Sequence, residues 1–205
     1  MVGLVIFDVD NVVVRYDRAR RVAVMAERLG RTPAEVTAAV FGSGIEDAAD
    51  AGDLGPDEYL RAVGEHLGTP VTRDVWVAAR GASVTPDPRM LALLAEVARH
   101  VPTVLLTNNL SLLREEYHRI APEVVALGLP LYASGDLRLA KPDPEVYRTV
   151  AARHGVAPTD ALFVDDTPAH VEGARRAGLR VHVFTGYDRV VAFLVGEGVP
   201  VGSGR

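Results

Sequence analysis

Carboxylates occur as two close pairs in this 205-residue chain. Asp8 and Asp10 directly follow an apolar run near the N-terminus, and Asp165 and Asp166 follow a second apolar run near the C-terminus. If the fold gathers the two pairs, they will repel one another strongly unless a cation joins them. Oxygen ligands without histidine or cysteine suit a hard ion such as Mg²⁺, with structural Ca²⁺ as the alternative. The carboxylates therefore indicate a magnesium site.

Three other polar residues could bind an anion beside that cation. Lys141 is the only lysine in a chain with 22 lysines and arginines, which suggests a place that a guanidinium cannot occupy. A compact ammonium fits between a carboxylate and a phosphate, where the planar fork of arginine does not. Thr107 and Asn108 offer a hydroxyl and an amide that could bind phosphoryl oxygens, although such a pair is equally common in helix caps and turns.

Short apolar runs and helical patterns alternate along most of the chain. Runs rich in β-branched residues are typical of strands buried in a parallel sheet, and they occur at 2–7, 104–106, 129–133, 161–164 and 181–184. Strands that alternate with helices predict an α/β fold, a doubly wound parallel sheet of the Rossmann-like kind. Because ligands of such sheets bind at the carboxyl ends of the strands, the polar residues that follow these runs are expected to meet at one edge.

The segment 15–83 interrupts this alternation, since it carries helical patterns and no convincing strand. One apolar stripe ends at Gly30, Thr32 and Glu35 form a capping-box pattern, and Pro56 begins a further helix. We therefore expect a small helical cap domain at 15–83 and a core domain formed by 1–14 and 84–205. A cap that follows the first strand could cover the sheet edge and exclude water, or it could simply pack there.

Composition limits the classes of partner. Hydrophobic residues make up 48% and charged residues 24% of the chain, and the formal net charge is -5. This balance predicts a globular protein without general attraction for nucleic acid or anionic membranes. The absence of cysteine excludes disulfides and thiolate catalysis and fits a cytoplasmic location. The N-terminus lacks the basic flank of a signal peptide, and nothing in the sequence indicates the oligomeric state.

Taken in order, four motifs resemble those of the haloacid dehalogenase superfamily. They are FDVDNVV, LLTNN, AKPDPEVY and FVDDTPAHVEGARRAG, and the resemblance extends from Val5 to about Phe184. It implies a phosphatase of this superfamily with a small helical cap inserted after the first motif. The dehalogenase branch lacks an acid at the place of Asp10, because a halide leaves without a proton whereas an alkoxide needs one. Asp10 therefore favours phosphate transfer.

The resemblance also implies roles for individual residues. Asp8 would be the nucleophile that forms an aspartyl-phosphate, and Asp10 would act as general acid and then as general base. Magnesium would be held by Asp8, the main-chain carbonyl of Asp10, and Asp166, with Asp165 assisting. The phosphoryl oxygens would be bound by Thr107, Asn108 and Lys141.

The implied substrate is a small phosphomonoester, with a sugar phosphate suggested by the likeness of residues 51–59 to the caps of sugar-phosphate phosphatases. A phosphomutase is the alternative enzyme; a phospho-receiver or an inactive binding protein is a weaker alternative. Two residues depart from the family pattern. Asn11 replaces a common glycine and is expected to keep the left-handed turn, and His170 replaces a common asparagine and is expected at a helix start near the site.

Overall fold

The computed structural model describes residues 1–201, so residues 202–205 of the predicted core range lie outside the described residues. The strands are β1 (Leu4–Phe7), β2 (Val14–Tyr16), β3 (Val84–Pro86), β4 (Thr103–Thr107), β5 (Leu131–Ala133), β6 (Ala161–Asp165) and β7 (Arg180–Val183). The helices are α1 (Arg18–Leu29), α2 (Pro33–Thr37), α3 (Ile45–Asp50), α4 (Pro56–Leu67), α5 (Arg73–Ser83), α6 (Pro88–Ala98), α7 (Ser111–Ile120), α8 (Pro122–Val125), α9 (Ser134–Leu137), α10 (Pro144–Arg153), α11 (Pro168–Ala177) and α12 (Tyr187–Gly196). A π-helical turn at Ala38–Gly42 and a 3₁₀ turn at Pro158–Asp160 complete the regular structure of these residues.

A parallel five-stranded sheet forms the centre of the molecule, with the strand order β5-β4-β1-β6-β7. Every side chain of β1 is buried, which explains why its sequence is continuously apolar rather than alternating. Leu4 and Ile6 pack into one apolar cluster with α10 and α11, whereas Val5 and Phe7 pack into the other. The predicted doubly wound α/β fold is confirmed.

Helices α1 to α5 lie between β2 and β3 in the chain, and we call residues 17–83 the cap. The predicted stripe forms α1, which ends at Gly30 in the left-handed conformation with φ 61°. Thr32 and Glu35 form the predicted capping box at the start of α2, and α4 begins at Pro56 as expected. Local signals were therefore sufficient to place the ends of these helices.

No strand was expected within residues 15–83, but Arg15 and Tyr16 belong to β2. Val14–Tyr16 pairs in antiparallel fashion with Val84–Pro86, so both chain segments that enter and leave the cap form a two-stranded sheet. Each strand has only three residues, which is too short for a period to be visible in the sequence. The predicted boundaries after residues 14 and 83 both fall at this strand pair.

None of the helices in residues 1–201 has the length and apolar character required to cross a membrane.

Candidate functional site

The sheet topology places the predicted residues together at one edge. Asp8 directly follows β1, Thr107 ends β4 and Asp165 ends β6. Because β1 lies between β4 and β6, these three side chains come from adjacent carboxyl ends. A cavity of ≈ 170 Å³ opens at this edge, and it is lined by Asp8, Asp10, Asn11, Thr107, Asn108, Lys141, Asp166, Thr167 and His170.

Lys141 reaches this edge from the loop between α9 and α10, and only 4% of its surface is exposed. Its ammonium donates to Asp8 Oδ1 at 2.6 Å, to Asp165 Oδ2 at 2.7 Å, and to a main-chain carbonyl, that of Leu106, at 3.2 Å. Burial alone would lower the pKa of Lys141, but the charges of Asp8 and Asp165 outweigh it and raise that pKa. The side chain is therefore a permanent cation held between two carboxylates.

Asp8 is a buried acid whose pKa is raised far above its ordinary value. Burial, together with the neighbouring charges of Asp165 and Asp10, raises its pKa to about 7 against the opposing charge of Lys141. A further cation beside the carboxylate would favour its ionised, nucleophilic form. The ammonium of Lys141 alone therefore does not balance the negative charge of these carboxylates.

The residues fit a magnesium ion. Asp8, Asp165 and Asp166 each offer a carboxylate oxygen, and these three oxygens lie within 4.8 Å of one another. Three carboxylates face a single lysine, and their hard oxygen atoms are the ligands that Mg²⁺ prefers. The two predicted carboxylate pairs are therefore brought together, although the carboxylate of Asp10 points to other partners and its main-chain carbonyl is the predicted ligand.

Asp165 is held by several donors at once. The main-chain N–H of Thr167 donates to its Oδ1 at 2.8 Å, and His170 Nδ1 lies 3.1 Å from each carboxylate oxygen. Burial would raise the pKa of Asp165, but the bond from His170 and the charge of Lys141 outweigh it and lower that pKa. His170 lies in the first turn of α11 beside the cavity, as predicted.

Asn108 has a different set of contacts from those predicted for substrate binding. Its amide donates to the main-chain carbonyl of Lys141 at 2.7 Å and accepts from the main-chain N–H of Lys141 at 2.9 Å. Both side-chain polar atoms of Asn108 are therefore engaged in holding the segment that carries Lys141. Asn11 adopts the expected left-handed conformation with φ 63° and accepts a bond from Tyr16 N–H at 3.2 Å.

Two residues of the site were missed in the sequence. Asn109 donates to Thr107 Oγ1 at 2.7 Å and to Asp10 Oδ2 at 3.4 Å, and Arg80 donates to the same Asp10 oxygen at 2.6 Å. Asn109 stands inside the LLTNN motif and could have been included with its neighbours. Arg80 lies 70 positions from Asp10, and nothing in its local sequence distinguishes it from other arginines.

The chain matches the family model of the haloacid dehalogenase-like hydrolases over residues 2–178. It is 37% identical to the phosphoserine phosphatase of Thermus thermophilus over 100 residues, which cover 45% of this chain and only 38% of that relative. It is 25% identical to the D-ribitol-5-phosphate phosphatase of Bacteroides thetaiotaomicron over 190 residues, which cover 87% of this chain and 89% of that protein.

Solved structures show the same fold. One is the haloacid dehalogenase-family enzyme bt-2542 of Bacteroides thetaiotaomicron in complex with magnesium and inorganic phosphate, with a TM-score of 0.80, 21% identity, and coverage of 94% of this chain and 100% of that chain. The L-2-haloacid dehalogenase of Xanthobacter autotrophicus is less similar, with a TM-score of 0.63, 19% identity, and coverage of 98% and 85%. With the family model matched along most of its length, this chain belongs to the haloacid dehalogenase-like hydrolases.

Proposed function

We propose that this chain is a magnesium-dependent phosphatase that hydrolyses a small phosphomonoester through an aspartyl-phosphate on Asp8. The observation that carries the proposal is the position of Asp8: its carboxylate lies in the cavity, bonded to Lys141 and close to oxygens of Asp165 and Asp166. A buried acid with a pKa near 7 beside a fixed cation is the kind of group that active sites use as a nucleophile.

In the first step a carboxylate oxygen of Asp8 attacks phosphorus, and the bond between phosphorus and the leaving oxygen breaks. The electron pair of that bond goes to the leaving oxygen, which takes a proton from Asp10. Asp10 lines the same cavity as Asp8, as this role requires. The products of this step are a free alcohol and a phosphorylated Asp8.

In the second step water attacks the phosphorus atom of phosphorylated Asp8, and the carboxylate of Asp10 takes a proton from that water. The bond between phosphorus and the Asp8 oxygen breaks, which releases inorganic phosphate and restores the carboxylate. Asp10 thus acts as acid and then as base, a contribution typically worth about 10²–10⁴ in rate.

Asp8, Asp166, Asp165 and the main-chain carbonyl of Asp10 are the groups that would hold magnesium. When bound, the ion supplies positive charge that offsets the negative charge of the carboxylates and of the phosphoryl oxygens.

Thr107 and Lys141 are proposed to bind the phosphoryl oxygens, where charge lies in the transition state. Asn108 supports them by holding the main chain of Lys141, since both polar atoms of its amide bind there. A direct contact between Asn108 and the phosphoryl group would therefore use its main chain rather than its amide.

The proposed substrate class is a sugar or polyol phosphate. The relative matched over most of both chains is a D-ribitol-5-phosphate phosphatase, and the ≈ 170 Å³ cavity is smaller than the roughly 300–1,000 Å³ typical of pockets for drug-sized ligands. A small metabolite, rather than nucleic acid or a membrane, is the proposed partner, and a cytoplasmic location stays a prediction from composition.

The test is phosphate release from p-nitrophenyl phosphate and from a panel of sugar and polyol phosphates, with and without Mg²⁺. We expect turnover that requires Mg²⁺ and a loss of at least about 10³-fold in Asp8→Asn, which keeps the shape of the side chain but removes the nucleophile. Activity that persists in Asp8→Asn would reject Asp8 as nucleophile. An isomerised sugar phosphate without free phosphate would identify a phosphomutase instead.

A further inference from the structure

The guanidinium of Arg80 is buried at the boundary between the cap and the core. The residue lies in α5 with 1% of its surface exposed, and its Nη2 donates to Asp10 Oδ2 at 2.6 Å and to Asn109 Oδ1 at 3.4 Å. The guanidinium also stacks on the ring of Tyr16 at 4.3 Å. A buried, stacked guanidinium has little freedom, so the bond to Asp10 has a fixed direction.

The elements around Arg80 come from both parts of the chain. Helix α5 packs against α1 within the cap and against α7 of the core, while Tyr16 belongs to the strand that leads into the cap. Asn109, which bonds both Arg80 and Asp10, follows β4 in the core. The position of the guanidinium therefore depends on how the cap is seated on the core.

The two oxygens of Asp10 differ in their surroundings. Oδ2 accepts the bonds from Arg80 and Asn109, whereas Oδ1 is buried and accepts no hydrogen bond from any residue in the described part of the chain. Within the described residues, only the bonds to Oδ2 fix the orientation of this carboxylate. Asp10 lines the cavity that contains Asp8, and 22% of its side chain is exposed.

We propose that Arg80 is a positioning residue, a side chain of the cap that fixes the orientation of the Asp10 carboxylate toward the leaving oxygen of the substrate. This inference rests on the proposed function, in which Asp10 protonates that oxygen. It makes the alignment of the proton donor depend on a side chain of the cap. Arg80 itself does not exchange the proton.

Leaving groups of different basicity distinguish this role from a purely structural one. p-Nitrophenolate is a stable anion that leaves without a proton, whereas the alkoxide of glycerol 1-phosphate needs one. A misaligned Asp10 should therefore slow the glycerol phosphate reaction and leave the aryl phosphate reaction nearly unchanged. Loss of fold or of phosphate binding would slow both reactions equally.

The experiment measures kcat/KM, which reports the steps up to formation of the phosphorylated Asp8, for both substrates. For Arg80→Met we expect a loss of about 10²-fold with glycerol 1-phosphate and less than about fivefold with p-nitrophenyl phosphate. Arg80→Lys, which retains the charge but not the fork, should lie between Arg80→Met and the wild type. The matched control is Arg21→Lys, a change of a second buried cap arginine that bonds Glu46 rather than Asp10, and it should leave the ratio of the two substrates unchanged.

A double-mutant cycle with Asp10→Asn completes the test. If Arg80 acts through Asp10, adding Arg80→Met to Asp10→Asn should change the ratio of the two kcat/KM values by less than about twofold. The positioning role would be overturned if Arg80→Met lost activity equally with both substrates, or if Arg21→Lys changed the ratio to a similar extent. It would also be overturned if the changes in this ratio caused by Arg80→Met and Asp10→Asn multiplied in the double variant. If the wild-type protein hydrolyses neither substrate, it is the proposed function that fails.

Discussion

Two buried ion clusters in this molecule differ in their charge balance. In the core cluster, Lys141 bonds Asp8 and Asp165, and Asp166 lies beside them. In the cap cluster, Arg21 binds Glu46 through two parallel bonds at 2.6 and 3.1 Å and donates to Tyr59 at 3.3 Å. Tyr59 also donates a short hydrogen bond to Glu46, so every charged group of the cap cluster has an opposite charge or a hydroxyl as partner.

The difference separates a cluster with balanced charges from one with an excess of negative charge. One arginine balances one glutamate in the cap cluster, which therefore needs no further ion. One lysine faces three carboxylates in the core cluster, and burial raises the pKa of Asp8 to about 7. Excess charge of one sign in a buried place is costly unless a ligand of the other sign binds. Similar burial thus has opposite consequences in the two clusters.

The largest effect is expected from changing the lysine of the core cluster. Lys141→Met should lower kcat/KM for p-nitrophenyl phosphate by at least about 10²-fold, because it removes the cation that bonds Asp8, the proposed nucleophile, and is proposed to bind the phosphoryl oxygens. Lys141→Arg should be nearly as impaired. Its planar guanidinium does not fit where the single nitrogen Nζ of Lys141 lies 2.6 Å from Asp8 Oδ1 and 2.7 Å from Asp165 Oδ2. Full activity in Lys141→Arg would contradict the special geometry of this position.

The corresponding change in the cap cluster should affect stability rather than chemistry. Arg21→Met leaves Glu46 buried without its partner and should lower the free energy of unfolding by about 3–5 kcal/mol, measured by urea denaturation. The folded fraction should keep its activity. Combining Arg21→Met with Glu46→Leu should recover much of the loss, because no buried charge then remains. A single variant as stable as the wild type would show that the cap cluster is not structural.

Magnesium should stabilise the protein through the core cluster alone. A concentration of about 100 times the dissociation constant should add about 2.7 kcal/mol and raise Tm by roughly 5–10 °C. Asp166→Asn should lose most of this shift, whereas Glu46→Gln, the same change in the cap cluster, should keep it. An undiminished shift in Asp166→Asn would indicate that the ion binds elsewhere.

The smallest effect concerns Asp50, which lies next to the cap cluster. Burial and the charge of Glu46 together raise its pKa to about 8, against the opposing charge of Arg21. Because the folded pKa exceeds the ordinary value of 3.8, the folded state holds this proton longer than the unfolded state. The contribution to stability is therefore full below about pH 4 and is lost as the pH rises to about 8.

Asp50→Asn removes this titration and should gain about 2 kcal/mol in unfolding free energy relative to the wild type between pH 6.5 and pH 8.5. Denaturation at both pH values, with Mg²⁺ present throughout, measures the change. Asp47→Asn, on the exposed side of the same helix, is the matched control and should show no such gain. Parallel stability curves for Asp50→Asn and the wild type would contradict the buried titration.

Much of the core could be predicted because its signals are local. The burial of β1 on both faces is visible as an unbroken apolar run, and the ends of α1 and α2 are marked by Gly30 and by the Thr32–Glu35 box. The strand pair that flanks the cap could not be predicted. Its two strands have three residues each, and paired residues such as Arg15 and Thr85 lie far apart in the chain, so no local period reveals them.

The amino-acid sequence by itself determined which polar side chains stand at the carboxyl ends of the strands and which strand each one follows, because both depend on neighbouring residues. Only the tertiary structure decided how those side chains are engaged. It joined Asn108 to the main chain of Lys141, and it brought Arg80 from the cap onto Asp10. The physical reason is that hydrogen bonds and ion pairs depend on distances of about 3 Å, and packing of the whole chain sets those distances between residues far apart in sequence.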